Sequence, residues 1–208
     1  KAPKGLIGNV IKFPKVSVGA TENLIIAASL SKGKTILKNC AIEPEIQDLI
    51  NFLRKMGCNI KWIGKRTIKI LGTKSFKELN YRIMFDRIEA GTYMIASALT
   101  GGDFKIVNII PKIIKTEIDI LKKVGATIKI KETELRIIGR KKIKNIKLTT
   151  SPYPGFPTDL QAQLMVLLCK STGRSEIVEK IFENRFMHAS ELNRMGAKIK
   201  ILGNKAII

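Results

Sequence analysis

Cysteine and histidine are scarce in this chain. The three cysteines, Cys40, Cys58 and Cys169, are odd in number, far apart and without a CxxC spacing, and His188 is the only histidine. This pattern argues against a disulfide framework or a zinc site, and it suits a reducing cytoplasm. We therefore expect the cysteines to be small buried residues and expect no metal site.

Long apolar runs and the common nucleotide and hydrolase motifs are also absent. The prominent apolar stretches, at 24–28 and 164–169, are far shorter than the roughly 20 residues that cross a bilayer. The sequence contains no P-loop, GxGxxG or GxSxG pattern. With 45% hydrophobic and 26% charged residues, it has the composition of a globular protein that does not enter a membrane.

Acidic residues are few relative to basic ones, 17 against 38, which gives a formal net charge of +21. One explanation is a nucleic-acid partner, because clustered Lys and Arg neutralise phosphates. The other is a lysine-rich composition that fills solvated positions. The lysines are spread over the whole chain and no aromatic stacking set accompanies them, so we favour the second explanation. The excess charge would still attract an anionic substrate.

What the sequence does contain is one segment repeated three times. The copies are RKMGCNIK at 54–61, KKVGATIK at 122–129 and NRMGAKIK at 193–200, and their glycines are 68 and 71 residues apart. Such spacing indicates a duplicated supersecondary unit.

Each copy is predicted to open with a strand that leads into a threonine-capped, mostly apolar helix. The opening segments are 15–20, 82–91 and 145–157, and the threonines are Thr21, Thr92 and Thr158. A threonine hydroxyl can accept a hydrogen bond from a free N–H of the first helical turn. Helices apolar on most sides are buried.

A second strand, an amphipathic helix and a hairpin complete each predicted unit. In the first copy Pro44 begins the helix, Gly57 ends it, and strands at 60–63 and 67–70 flank Gly64. The unit is therefore β-α-β-α-β-β. Several such units would pack helices inward and sheets outward, which is an α/β architecture built from repeats.

The junction before the third helix differs from its sisters. Residues 151–159 contain three prolines and deliver Asp159 to the first turn of an apolar helix. In one interpretation Asp159 only complements the helix dipole. In the other it is a rigidly held carboxylate that binds or deprotonates a substrate hydroxyl.

At these residues the chain resembles the UDP-N-acetylglucosamine 1-carboxyvinyltransferases, also called UDP-GlcNAc enolpyruvyl transferases. The strings that support the resemblance are KVSVGATEN at 15–23, EPEI at 43–46, DRIEAGT at 86–92, FPTDLQAQ at 156–163 and FENRFMH at 182–188.

The resemblance implies a transfer of the enolpyruvyl group of phosphoenolpyruvate to the 3′-hydroxyl of UDP-N-acetylglucosamine. Phosphate is released, and the reaction is the first committed step of peptidoglycan synthesis in the cytoplasm. No cofactor, nucleic acid or membrane is involved. The implied fold is an inside-out α/β barrel of β-α-β-α-β-β units, of which three are present. Residues 1–84 would be the last unit of one domain, and residues 85–208 the first two units of the other.

The resemblance also implies roles for single residues. Asp159 matches the carboxylate that meets the sugar 3′-hydroxyl as the proposed general base. Ile181 matches an apolar position whose backbone contacts the nucleotide sugar. Arg87 and Arg185 lie in matching motifs near the cleft. The segment that contacts the uridine diphosphate is matched by Lys15, Val16, Ser17 and Val18.

The chain matches an internal part of the family sequence. The loop with the reactive cysteine and several groups that face phosphoenolpyruvate are expected outside it, and none of its three cysteines matches the reactive one. We expect the chain alone to expose apolar helix surface, to aggregate or partly unfold, and to be inactive. Two alternatives stay open: a basic nucleic-acid-binding module and a non-catalytic remnant.

Overall fold

The computed structural model describes residues 2–3 and 5–208. These residues form two compact units, with the division between Met84 and Phe85. Each unit has its own hydrophobic core. The assignment of these units to repeats of two larger domains stays a prediction. None of the helices in the described ranges has the length and apolar character that a membrane crossing requires.

The first unit has the predicted element order. Its elements are β1 (Val10–Lys12), α1 (Val18–Ser29), β2 (Lys34–Lys38), α2 (Pro44–Lys55), β3 (Asn59–Gly64) and β4 (Thr67–Leu71). The sheet has the order β1-β2-β4-β3, with β1 parallel to β2 and the other neighbours antiparallel. Ile60 lies opposite Ile70 and both are buried, so the predicted hairpin is confirmed.

Helix α2 also follows the sequence pattern. It begins at Pro44, and proline is tolerated there because an N–H in the first turn has no hydrogen-bond acceptor within the helix. The helix buries Ile46, Ile50 and Leu53. These residues recur at intervals of four and three, so they form one stripe. The stripe joins Ile25 of α1 in the core of the first unit.

The predicted threonine caps are wrong. The first two helices begin before their threonines, and Thr158 lies inside a short 3₁₀ turn that follows Pro157. Ser17 caps α1 through a hydrogen bond from the N–H of Ala20 to its Oγ (3.2 Å), so residues 15–20 form no strand. Thr21 lies one turn inside α1. Its hydroxyl donates to the carbonyl of Ser17 (2.7 Å) and accepts from the N–H of Ala41 (3.0 Å). Through these two hydrogen bonds the Thr21 side chain links α1 to the loop after β2.

The second unit contains the other two copies. Its elements are α3 (Arg87–Thr100), β5 (Asp103–Val107), a 3₁₀ turn (Pro111–Ile114), α4 (Lys115–Lys123), β6 (Thr127–Ile130), β7 (Glu134–Ile138), β8 (Ile143–Lys144), β9 (Lys147–Thr149), a 3₁₀ turn (Thr158–Leu160), α5 (Gln161–Leu168), β10 (Ser171–Thr172), β11 (Glu176–Val178), α6 (His188–Arg194), β12 (Lys200–Leu202) and β13 (Lys205–Ile207). The sheets have the orders β5-β7-β6 and β12-β13-β11-β9, with a small parallel ladder of β8 and β10.

The third copy has the full predicted order, but the second copy does not. No strand forms over residues 82–91, because Asp86 accepts hydrogen bonds from the N–H groups of Ile88 (2.7 Å) and Glu89 (3.1 Å) and starts α3 at Arg87. Within the described ranges β5 is therefore paired with β7 alone. The sister strands β2 and β11 each have a parallel partner, β1 and β9.

The two apolar helices of the second unit, α3 and α5, pack directly on each other. A Cβ on Gly91 of α3 would lie 2.3 Å from Cδ1 of the buried Leu160, in the 3₁₀ turn just before α5, so a larger residue there would displace Leu160. Met94 and Leu164 are fully buried in the same core. In the first unit, by contrast, Ile26 of α1 and Leu30, which follows α1, are more than half exposed.

Candidate active site

The four predicted diphosphate-binding residues lie in the first unit, at the start of α1. Lys15 and Ser17 are exposed, and Val16 and Val18 are half-buried. The first turn of α1 contains no acidic side chain. Helix N-terminal N–H groups lack intrahelical acceptors and have a partial positive charge, so an anion can bind there beside the Lys15 ammonium.

The proline-rich junction in the second unit is a tightly specified loop. The N–H of Ser151 donates to the carbonyl of Phe156 (3.1 Å), and the N–H of Gly155 donates to that of Pro152 (2.9 Å). A Cβ on Gly155 would lie 1.8 Å from Oγ of Ser151, so only glycine fits. The loop leads into the 3₁₀ turn that contains Asp159.

Asp159 is held by an arginine. An Nη2 hydrogen of Arg185 bonds to Oδ1 of Asp159 (2.7 Å), and Nη1 of Arg185 donates to the hydroxyl of Thr158 (2.9 Å). The guanidinium also lies 5.0 Å from the ring centroid of Phe182. The Asp159 side chain is 53% exposed, so its carboxylate is accessible to a ligand.

An open depression of about 590 Å³ lies beside this ion pair. The residues that line it are Asp159, Phe182, Glu183, Asn184, Arg185, Met187 and His188. Burial lowers the pKa of His188 below its ordinary value, and the nearby Arg185 cation lowers it further. The depression thus combines a carboxylate, a guanidinium and an imidazole with a depressed pKa.

Ile181 is placed by its backbone. Its N–H donates to Oε1 of Glu179 (2.7 Å), and its side chain is half-buried. Sequence reasoning missed Glu179, which also bonds Thr150 and Thr158. The sequence does contain a signal for Glu179: the residue after the equivalent strand is asparagine in the other two copies and glutamate only in the third.

Arg87 and the cysteines do not line the depression. Arg87 is buried, with Nη1 3.6 Å from Oε1 of Glu117. Burial raises the pKa of the Cys40 thiol to about 11 and also raises the pKa of Cys58 and Cys169. Such thiols are poor nucleophiles. Cys40 and Cys58 are buried as expected, whereas Cys169 is half-buried. In the part of the chain that the structure describes, no three His, Cys, Asp or Glu residues cluster as metal ligands.

Nearly the whole sequence matches one protein family. A model of the EPSP synthase (3-phosphoshikimate 1-carboxyvinyltransferase) family matches residues 4–208, so the chain belongs to this family. Among its relatives, the UDP-N-acetylglucosamine 1-carboxyvinyltransferase of Pelagibacter ubique (strain HTCC1062) is 72% identical over 207 residues, which cover 100% of this chain and 50% of that protein. UDP-N-acetylglucosamine 1-carboxyvinyltransferase 1 of Caldanaerobacter subterraneus is 49% identical over 205 residues, 99% of this chain and 49% of that protein.

The fold is shared with a solved enolpyruvyl transferase. The crystal structure of NikO from Streptomyces tendae superposes with a TM-score of 0.81 at 22% identity, over 91% of this chain and 45% of that one. The chain thus has the α/β fold of enolpyruvyl transferases. It spans about half the length of the curated relatives that it matches.

Proposed function

We propose that this chain forms half of a UDP-N-acetylglucosamine 1-carboxyvinyltransferase. The observation that supports this most strongly is the 72% identity to the Pelagibacter ubique enzyme along the whole chain. The proposed substrates are phosphoenolpyruvate and UDP-N-acetylglucosamine, and the reaction would serve peptidoglycan synthesis in the cytoplasm. Neither a nucleic acid nor a membrane takes part.

In the proposed reaction Asp159 is the general base for the sugar 3′-hydroxyl. The hydroxyl oxygen forms a bond to C2 of phosphoenolpyruvate, and the bond from C2 to the phosphate-ester oxygen breaks. The hydroxyl proton leaves through Asp159, and the released phosphate finally takes up one proton. The Asp159 carboxylate is half-exposed and would accept that proton while Arg185 binds its Oδ1.

Further residues are proposed to bind the nucleotide sugar. The uridine diphosphate would contact Lys15, Val16, Ser17 and Val18, where cationic and N–H groups suit its charge. The backbone at Ile181 would contact the nucleotide sugar. Because the chain spans half of its relatives, the reactive cysteine and other groups for phosphoenolpyruvate would come from the remainder of a complete enzyme.

The finer architecture belongs to the same proposal. Residues 1–84 would complete one domain, and residues 85–208 would begin another, each closed by further units into an inside-out barrel. The exposed Ile26 of α1 and Leu30, which follows it, support this, because α3 and α5, the corresponding helices of the second unit, pack against each other.

A chimera tests the proposal. The 207 aligned residues of the Pelagibacter ubique enzyme are replaced by this chain, and phosphate release is measured with both substrates. We expect kcat within about tenfold of the parent, since the transition-state contacts are retained. A monodisperse, folded chimera without transferase activity would contradict the proposal. An RNA affinity that falls steeply with salt, without response to UDP-N-acetylglucosamine, would favour the nucleic-acid-binding alternative.

The protonation of His188 gives a pH-dependent prediction. Burial and Arg185 lower its pKa from 6.5, so the unfolded chain binds the proton at higher pH than the folded one. The unfolded state then holds more protons, and stability should decrease as the pH falls below about 6.5. An NMR titration of the chimera, with the signal assigned from a His188→Gln variant, should give a midpoint below 6.5.

Arg185→Ala is the matched variant for this titration. Removing the cation should raise the midpoint of His188 part of the way towards its ordinary value, because burial, the larger cause, remains. A midpoint at or above 6.5 in the parent chimera would contradict the prediction.

A further inference from the structure

A buried carboxylate that the proposed reaction does not use lies behind the candidate site. Glu179 is 3% exposed. Its Oε1 accepts hydrogen bonds from the hydroxyl of Thr150 (2.7 Å) and from the N–H groups of Ile181 (2.7 Å) and Phe182 (3.3 Å). Its Oε2 accepts from the hydroxyl of Thr158 (2.8 Å). All four groups that contact Glu179 are hydrogen-bond donors, which suits a carboxylate because both of its oxygens are acceptors.

The other copies of the repeat show what this position needs structurally. In the first copy Asn39 follows β2, with φ of 63°, and its amide donates to the carbonyl of Phe13 (3.0 Å), which follows β1. In the second copy Asn108 follows β5 with φ of 59°. An asparagine is therefore sufficient to end the strand in two copies.

The third copy uses the same position differently. Thr150 occupies the place of Phe13, because the N–H of Thr150 donates to the carbonyl of Val178 (2.9 Å) as that of Phe13 donates to Lys38 (3.0 Å). Glu179 still joins the ends of the two strands through Thr150. Its remaining acceptor capacity goes to three groups of the candidate site.

Two of these groups are backbone amides, and the third begins a relay. The Thr158 hydroxyl donates its single proton to Glu179 and so presents its lone pairs to Arg185, which donates to it at 2.9 Å. The same guanidinium donates to Asp159. The acceptor at Glu179 thereby sets the orientation of Thr158, which sets that of Arg185.

We propose that Glu179 is a positioning residue of the transferase. It orients the Arg185–Asp159 pair through Thr158 and holds the backbone at Ile181 and Phe182 in the geometry that contacts the nucleotide sugar. This role rests on the proposed function. Glu179 itself touches no substrate, because it is buried behind the groups that do.

The test compares the Glu179→Gln variant of the chimera with two other variants. Glutamine keeps the size, but its NH₂ group cannot accept the proton of Thr158 or of the amides that face it. Losing hydrogen bonds to a charged group should lower kcat by about 10- to 100-fold, with KM for phosphoenolpyruvate unchanged. Thr158→Val cuts the relay alone and should lower kcat in the same way. Asn108→Asp changes the matched, exposed position of the second copy and should leave kcat within about twofold.

A structure-only role would give a different pattern. It would lower the thermal midpoint and the amount of folded enzyme, but kcat per folded molecule would stay that of the parent. An independent readout is hydrogen exchange at the Ile181 and Phe182 amides, which should accelerate in Glu179→Gln and not in Asn108→Asp. Parent-like exchange together with parent-like kcat would overturn the proposal. If the parent chimera lacks transferase activity, the proposed function fails, and the exchange rates alone decide whether Glu179 holds this segment.

Discussion

Replacing Asp159 with alanine in the chimera is expected to lower kcat by about 10²- to 10⁴-fold, the usual contribution of a general base. Asp159 lies at the open depression with one oxygen bound to Arg185 and a side chain that is 53% exposed. Alanine removes the proton acceptor and leaves the guanidinium without its carboxylate. Initial rates of phosphate release at saturating substrates measure the effect.

Two further variants test whether a loss of kcat comes from the missing charge of Asp159 or from a disturbed fold. Asp159→Asn keeps the size and can still accept a hydrogen bond from Arg185, but it is neutral, so its kcat should fall nearly as far as that of alanine. Asp119→Asn removes an exposed carboxylate of α4, which pairs with Lys115, and should leave kcat within about twofold. An Asp159→Ala chimera that keeps more than about a tenth of the parent kcat would rule out the base role.

Replacing Glu117 with alanine is expected to produce the largest loss of stability, about 3–5 kcal/mol. Glu117 and Arg87 form an ion pair whose side chains are only 4% and 7% exposed. Without Glu117 the guanidinium stays buried near the ring of Tyr153 with its carboxylate removed. Thermal unfolding, together with hydrogen exchange in α3 and α4, measures the loss.

The control for this loss lies two residues away on the same helix. Asp119→Ala breaks the exposed i,i+4 pair with Lys115 and should cost no more than about 0.5 kcal/mol. Replacing both buried partners, in a Glu117→Leu and Arg87→Met double variant, should restore much of the stability, because no uncompensated charge remains. A Glu117→Ala chimera within about 1 kcal/mol of the parent would show that the pair is not structurally important.

The repeat, the amphipathic helix and the hairpin were predictable because their signals are local. Pro44 and Gly57 bracket a stripe of three buried residues, and Gly64 separates two alternating strands. In the third copy, three prolines and a carboxylate close together in the sequence mark Asp159 as a candidate site residue. Resemblance of the same strings to one family supplied the expected chemistry.

Helix starts were predicted less well, because several residues can cap a helix. Ser17 and Asp86 compete with Thr21 and Thr92, and the residue whose oxygen reaches the first free N–H groups decides the start. Thr21 is used instead in a bond to Ala41, twenty residues away. The helix-capping propensity of Thr21 depends only on its neighbours in the sequence, so it does not predict the bond to Ala41.

The sequence alone determined the α/β repeat, its period and the candidate carboxylate. Only the tertiary structure decided which groups surround that carboxylate. Arg185 lies 26 residues from Asp159, and Glu179 lies 21 residues from Thr158, so each pair meets only after β11 has joined β9 and the two chain segments adjoin. Contacts of this kind depend on long-range packing, which leaves no periodic signal in the amino-acid sequence.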